Sequence, residues 1–405
     1  MTSPPDARME RSDFFPKLIA SGILLFLFAL LYVVIIAKSQ LMVLGAILLA
    51  AAVFFFYHRS PSLKEPLSRI LAKERTTLLI LGFALAVLAP LPLRRDPYTL
   101  HVLVMTGISM ILALGLNFQV GSTGIPNLGF AAFYGVGAYA SSLLAIHFQL
   151  SFWITMLLGG LLAALFGFLV GLPSLKTRTY HLALVSIAFG LVTYILLNNL
   201  AFTGGPNGVK DIPSPVLFGH SLFTSLRLFG RAYPMQLNFY YLTLFLLGLA
   251  ILGAHFLYHS KVELFWNAVR EDEIAAKCSG INVSRAKLLT FSVGAFYARV
   301  AGTLYAHYIG YISPENFNMN LSLLILAMVI MGKIDSILGV SIGAFILTLA
   351  PEKFRALADY RMAAGGLIII LMLMFRPSGI IPQRIREYSA VFAKRRSLGK
   401  WTPHG

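Results

Sequence analysis

Few residues in this chain are spaced for chemistry, and those that are suit binding and docking rather than bond making. Four successive charges, Arg270-Glu271-Asp272-Glu273, precede Ala275, Ala276 and Gly280. Such a run predicts a short polar helix ending at a turn. Ala275 and Ala276 permit close approach of a partner surface, and Gly280 permits positive φ. The same residues also suit a solvated loop helix of mixed charge. An uncharged polar stretch, Asn117 to Asn127 with Gly121 and Gly124, separates two apolar runs. A helix broken there would turn backbone dipoles toward a solute, and a plain connecting turn is the alternative. Thr203-Gly204-Gly205-Pro206-Asn207-Gly208 opens a third candidate. Its glycines allow backbone to approach a ligand at a mouth, or they form an ordinary turn stiffened by Pro206. The fourth is Arg299, a single cation within an apolar run.

Enzymatic readings find little here. Cys278 is the only cysteine, which excludes an intrachain disulfide and a cysteine-based metal cluster. His147, His181 and His255 are scattered, with no metal-ligand spacing. No nucleophile–base constellation stands out, and no Gly-x4-Gly-Lys-Ser/Thr phosphate loop occurs. The chain is therefore expected to be no enzyme and to bind no metal or cofactor itself.

The elements that must carry these residues follow from composition. Of 405 residues, 58% are hydrophobic and 12% charged, against about 25% charged in a soluble domain. A bilayer solvates such a chain where polar surface cannot, so membrane lipid is its expected surrounding. The net charge of +17 does not point to nucleic acid, because the basic residues fall in short runs between apolar stretches. Leu18 to Ala37 gives 20 uncharged residues, longer than a signal-peptide core of about 7–15 and enough to span. Apolar segments recur at 18–37, 39–57, 76–93, 98–118, 125–147, 151–172, 179–199, 237–257, 288–310, 320–332, 336–351 and 362–375. The expected fold is all-α, a polytopic membrane protein of about 11–12 spanning or partly re-entrant helices. Arg299 then lies near mid-bilayer, where a charge costs about 2.5–3.5 kcal/mol unless protein or water surrounds it. A substrate carboxylate, a structural pair and a tolerated substitution each account for it.

Charge orients the set. With the N-terminus inside, segments 1–17, 58–75, 173–178, 258–287, 333–335 and 376–405 hold 23 of the 33 Lys and Arg residues, and the opposite loops hold nine. That bias places both termini in the cytoplasm and favours two passes over 320–351. The loop 200–236 is then external and 258–287 cytoplasmic. Ala131/Gly135 and Ala298/Gly302/Ala306 have the small-x3-small spacing of close helix packing.

The residues from about 76 to 385 resemble the LivM-type branched-chain amino acid permeases of ABC importers. The run Trp266 to Gly280 looks like their cytoplasmic coupling segment, a variant of the Glu-Ala-Ala-x3-Gly motif in which Ala275, Ala276 and Gly280 hold their places. Ile274 stands at the glutamate position, with Glu273 one residue earlier. Leu116-Asn117 with Gly121/Gly124, Ala131 to Gly135 with Gly137-Ala138-Tyr139, and Thr203 to Gly208 follow in the family's order. Ala301 to Tyr305, Ser313-Pro314-Glu315 and Arg376-Pro377 complete it. The resemblance implies a permease domain over 76–385, with residues 1–75 as an added N-terminal helical hairpin and 386–405 as a basic cytoplasmic tail. It implies a second homologous permease, two nucleotide-binding ATPase subunits that consume ATP with Mg, and a periplasmic or tethered substrate-binding protein. The place would be a bacterial cytoplasmic membrane and the cargo leucine, isoleucine and valine. Arg270, Glu271, Asp272, Glu273, Ala275, Ala276 and Gly280 would couple to the ATPase. The Asn117–Asn127 and Thr203–Gly208 segments and Arg299 would belong to the translocation path or its mouth.

The chain also departs from that pattern. Tyr180-His181 replaces an acid–Tyr pair, Leu191 an acidic residue, and Gly332-Lys333-Ile334-Asp335-Ser336 a Gly-Gly-x-Gly-Ser turn. These leave open the same architecture for urea or a short amide. An ion-coupled carrier is disfavoured, because no Asp or Glu falls within the expected spans.

Overall fold

The computed structural model describes residues 6–37, 74–171, 179–217, 219–228 and 231–353, with a few isolated positions besides. Twelve α-helices lie among them: α1 Asp6–Ile36, α2 Arg75–Leu88, α3 Pro97–Asn117, α4 Phe130–Phe148, α5 Phe152–Gly171, α6 Thr179–Asn199, α7 Met235–Tyr258, α8 Lys261–Glu271, α9 Glu273–Cys278, α10 Val283–Ile309, α11 Met319–Gly332 and α12 Ile337–Lys353. Among the described residues, six stretches are long and apolar enough to cross a bilayer. The expected segments 39–57 and 362–375, the loop 173–178 and the basic tail lie outside the described residues.

Local chemistry sets the boundaries. Asp96 caps α3, accepting the Thr99 N–H at 3.3 Å, with Pro97 at the first helical position. Asn282 caps α10 through the Arg285 N–H at 3.0 Å, and Gly310 ends that helix at φ 74°.

α10 is the axis of the molecule, enclosed by α3, α4 and α5. Glycine lets the backbones meet. A Cβ on Gly294 would lie 3.0 Å from the Gly115 carbonyl oxygen, and one on Gly302 would lie 2.4 Å from that of Tyr134. Ala298 and Ala306 beside Gly302 are fully buried, as their spacing predicts. The outer faces are apolar too: Leu157, Leu184, Phe245 and Phe256 are exposed, a surface that only lipid or another apolar helix solvates. Ile35 of α1 packs with Leu100 of α3, Leu237 of α7 and Leu349 of α12.

The stretch 320–351 forms two helices, α11 and α12, folded into an antiparallel hairpin. A Cβ on Gly343 would sit 2.2 Å from the Met328 carbonyl oxygen, so the two cross with nothing between them. The hairpin turn, Lys333 to Ser336, returns to the end of the bundle where α8 and α9 lie. At the opposite end the loop after α6 holds more order than its Gly, Pro and Ser content suggests. It carries two small antiparallel ribbons, Val216–Leu217 with His220–Ser221 and Leu226–Leu228 with Arg231–Tyr233.

Candidate functional site

Residues 258–287 fold as two short helices meeting at an extended residue. Ser260 caps α8, its Oγ accepting the Val262 N–H at 3.3 Å. Asp272 caps α9, its carboxylate accepting the Ile274 and Ala275 N–H groups at 2.7 and 3.0 Å. Behind α9, the Ile281 N–H reaches the Ala276 carbonyl at 3.0 Å and the Gly280 N–H that of Lys277 at 3.1 Å. That pair of bonds is a Schellman cap with Gly280 at φ 81°, the turn its residue type predicts.

The segment has an inward and an outward face. Trp266 and Val269 are buried, and the Trp266 Nε1–H donates to the Ala286 carbonyl at 3.0 Å. Ala276 is also buried, whereas Ala275, Glu271 and Asp272 face outward. Ile274 is 77% exposed, the highest value among the exposed large hydrophobic residues described. A bare isoleucine among charges on a rigid helix suits contact with a soluble partner.

Two ion pairs fasten this face to the bundle. Lys287 of α10, almost wholly buried, meets Glu273 at 2.7 Å. The Arg270 Nη1 donates to the Gly121 carbonyl at 2.5 Å and lies 3.2 Å from Asp335. Glu271 approaches Arg270 from outside at 3.9 Å.

Arg270 thereby joins segments the sequence keeps apart. After α3 the chain makes one π-helical turn, Phe118–Ser122, then runs irregularly past Gly124 (φ 70°) to α4. Asn117 is fully buried at the start of this break. Its Nδ2 donates to the Tyr258 hydroxyl at 2.8 Å, and its Oδ1 accepts the Asp335 N–H at 2.9 Å. The ends of α3 and α7, the break, α8 and the α11–α12 turn thus converge on one polar knot. Burial pushes the Asp335 carboxyl up from its ordinary range, opposed by the Arg270 guanidinium and the Lys333 ammonium. Burial likewise lowers Lys333, opposed by Asp335.

The remaining candidates lie elsewhere. Asn127 is buried further along the break, donating to Gln119 Oε1 at 2.8 Å and accepting the Gly129 N–H at 2.9 Å. Thr203–Gly208 lies at the opposite end of α10. Thr203 Oγ1 donates to the Leu197 and Leu200 carbonyls, and Val209 pairs with Ile312. Thr203 and Gly205 are buried there, while Pro206 and Asn207 are exposed. Gly208 adopts φ 69°, and a Cβ on it would lie 2.0 Å from the Ile312 carbonyl oxygen. Arg299 is enclosed in mid-helix, donating from Nη2 to the Thr155 carbonyl at 2.9 Å. Among the described residues no carboxylate partners it, and its guanidinium fills the space above Gly159, where a Cβ would come within 0.9 Å.

Sequence reasoning treated Lys333 and Asp335 only as departures. The structure makes Asp335 a ligand of Arg270, and Tyr258 and Lys287 join it as positioning residues. One signal was available, since Asp335 is the sole acid between Glu315 and Glu352.

Comparison with known proteins agrees with this architecture. Residues 98–376 match the family model described as branched-chain amino acid transport system / permease component. The chain is 37% identical over 317 residues to the high-affinity branched-chain amino acid transport system permease protein LivM of Escherichia coli K12, covering 75% of this chain and 74% of that one. Identity to the LivM protein of Salmonella typhimurium is 38% over 297 residues, 70% of each chain. The LivH protein of Salmonella typhimurium is 25% identical over 283 residues, 67% of this chain and 90% of that one. No solved structure matches the chain significantly. A multi-pass helical bundle with this sequence likeness over more than two thirds of its length belongs to the branched-chain amino acid transport permease family.

Proposed function

We propose that this chain is the permease subunit of an ATP-driven importer of leucine, isoleucine and valine in the bacterial cytoplasmic membrane. The observation that carries the reading is the outward Ile274–Ala275 face on a segment clamped through Arg270 and Glu273 to the helix break, the α11–α12 turn and α10. A docked ATPase moving that face would pull on the helix break and on the α11–α12 turn together. ATP and Mg belong to two such partner subunits. Likeness to both LivM and LivH proteins supports pairing with a second homologous permease. A periplasmic or tethered binding protein would approach the opposite end, where Pro206 and Asn207 are exposed. The excess of Lys and Arg on the α8–α9 side supports a cytoplasmic position for that side and for both termini.

Uptake of labelled leucine, valine and urea by a strain lacking the gene, with and without the gene restored, tests the reading. Restored leucine and valine uptake that depends on ATP is expected. Restoration of urea uptake alone would replace the assigned cargo.

A further inference from the structure

α7 and α10 both pack on α3 but scarcely on each other, and between them lies a groove of about 490 Å³. Its floor is Ile111 of α3 and Tyr297 of α10, whose hydroxyl donates to the Ala250 carbonyl at 2.8 Å and bridges α10 to α7. Gly253 leaves room for that bridge, since a Cβ there would sit 2.9 Å from the Tyr297 hydroxyl oxygen. The lips are Leu249 and Phe296, each about half exposed. Of the lining side chains only Ser292 and Tyr297 carry a hydroxyl, and the rest are apolar. The groove lies within the length of α7, one of the stretches able to cross a bilayer, so it opens toward lipid.

From Val300 to Ser292 the groove runs about 12 Å along α10, toward the end of the bundle where α8 lies. The same face of α10 reaches Arg285 two turns further on, seven residues before Ser292. On the other bank Leu257 ends the groove, and Lys261 follows four residues later at the start of α8. Both cations are exposed, and among the described residues neither pairs with a carboxylate. Each sits in the first turn of its helix, where the macrodipole opposes a cation, so helix formation does not account for either. An apolar slot that ends at two unpaired cations matches the two parts of an anionic phospholipid, its hydrocarbon tail and its phosphate. We infer that the α7–α10 groove holds an acyl chain of an anionic phospholipid, with Arg285 and Lys261 receiving its headgroup phosphate. A lipid held here is independent of the cargo assigned above.

The test uses the full-length chain, equilibrated with mixed phosphatidylglycerol and phosphatidylcholine and weighed by native mass spectrometry after mild detergent extraction. Phosphatidylglycerol should stay bound at least threefold over phosphatidylcholine. Lys261→Gln with Arg285→Gln should abolish that preference at an unchanged melting temperature, because both side chains are exposed. Leu249→Trp, which fills the groove from its lip, should cut phosphatidylglycerol retention at least threefold. A photo-cross-linking residue placed at Leu249 should capture lipid. Equal retention of the two lipids, an undiminished preference in the double variant, or unchanged retention by Leu249→Trp overturns the site. Capture of a second polypeptide at Leu249 in place of lipid also overturns it and makes the groove a contact between subunits.

Discussion

Arg270 and Asp335 lie 65 positions apart in sequence and meet at 3.2 Å, with the Gly121 carbonyl on the same guanidinium nitrogen. Arg270 thus ties the outward segment to two turns of the bundle. Replacing it with glutamine should reduce uptake about tenfold or more while the protein still inserts, because a buried polar knot loses its central donor. Measuring uptake against membrane abundance decides this, and wild-type uptake per molecule would remove Arg270 from the coupling path.

The same pair predicts a dependence on pH. The folded state raises the Asp335 carboxyl above its unfolded value, so it binds more protons than the unfolded chain between those two values. Stability from this group is therefore full below the unfolded value and lost as pH rises through the folded one. Arg270 holds the shift down, so Arg270→Gln should enlarge it. The variant's melting temperature should fall further below wild type at pH 8 than at pH 5, and adding Asp335→Asn should erase that difference. An equal deficit at both pH values would contradict the assignment.

Ala275 and Ala276 separate docking from folding. Ala275 faces outward and Ala276 is buried. Ala275→Arg or Ile274→Asp should abolish ATPase-coupled uptake with the melting temperature unchanged, whereas Ala276→Arg should lower both. Gly280→Ala meets open space at φ 81° and should cost about 1 kcal/mol. Gly280→Pro, which cannot adopt that φ and deletes the N–H bonded to Lys277, should stop transport.

Lys333 occupies φ 101°, and Asp335 occupies φ 68°. In the Gly-Gly-x-Gly-Ser turn that this segment resembles, both positions would be glycine, whereas Gly332 is kept. Lys333→Gly should relieve about 1–3 kcal/mol of backbone strain and raise the melting temperature. Asp335→Gly should gain nothing, since it also discards the partner of Arg270. Calorimetry of the two variants side by side checks the contrast.

Arg299 and Gly159 should behave as a pair. Gly159→Ala places a methyl group within the guanidinium, so it should lower membrane abundance severely. Arg299→Gly alone should transport like wild type at equal or higher abundance, and it should rescue Gly159→Ala. Loss of uptake by Arg299→Gly at equal abundance would show that the cation serves substrate instead.

Much of this was legible in the sequence. Long apolar runs located most of the described spanning helices to within about five residues, because bilayer thickness fixes their length, but α1 begins at Asp6, twelve residues before the apolar run at 18–37. Gly280 announced its turn, since few other residues tolerate φ 81°. The knot at Arg270 was not legible, because Asn117, Tyr258 and Asp335 meet only after three helices return to one end. Nor was the split between Ala275 and Ala276, which depends on how α9 is rotated against α10. The small ribbons within 200–234 rest on two or three residue pairs each, too short for alternation to announce.

α10 has a mechanical consequence. Its 27 residues make a rod about 40 Å long, held at one end by Lys287 on Glu273 and followed at the other by the Ile312–Val209 pairing. A tilt of about 5° pivoting at one end would sweep the other through ~3.5 Å, given that length. The tightly closed Thr203–Gly208 loop is zipped to the chain just beyond the rod, so it would be carried along rather than stretched. Were docking to tilt α10 about such a pivot, the displacement would grow in proportion to distance along the rod, so the far end would move most.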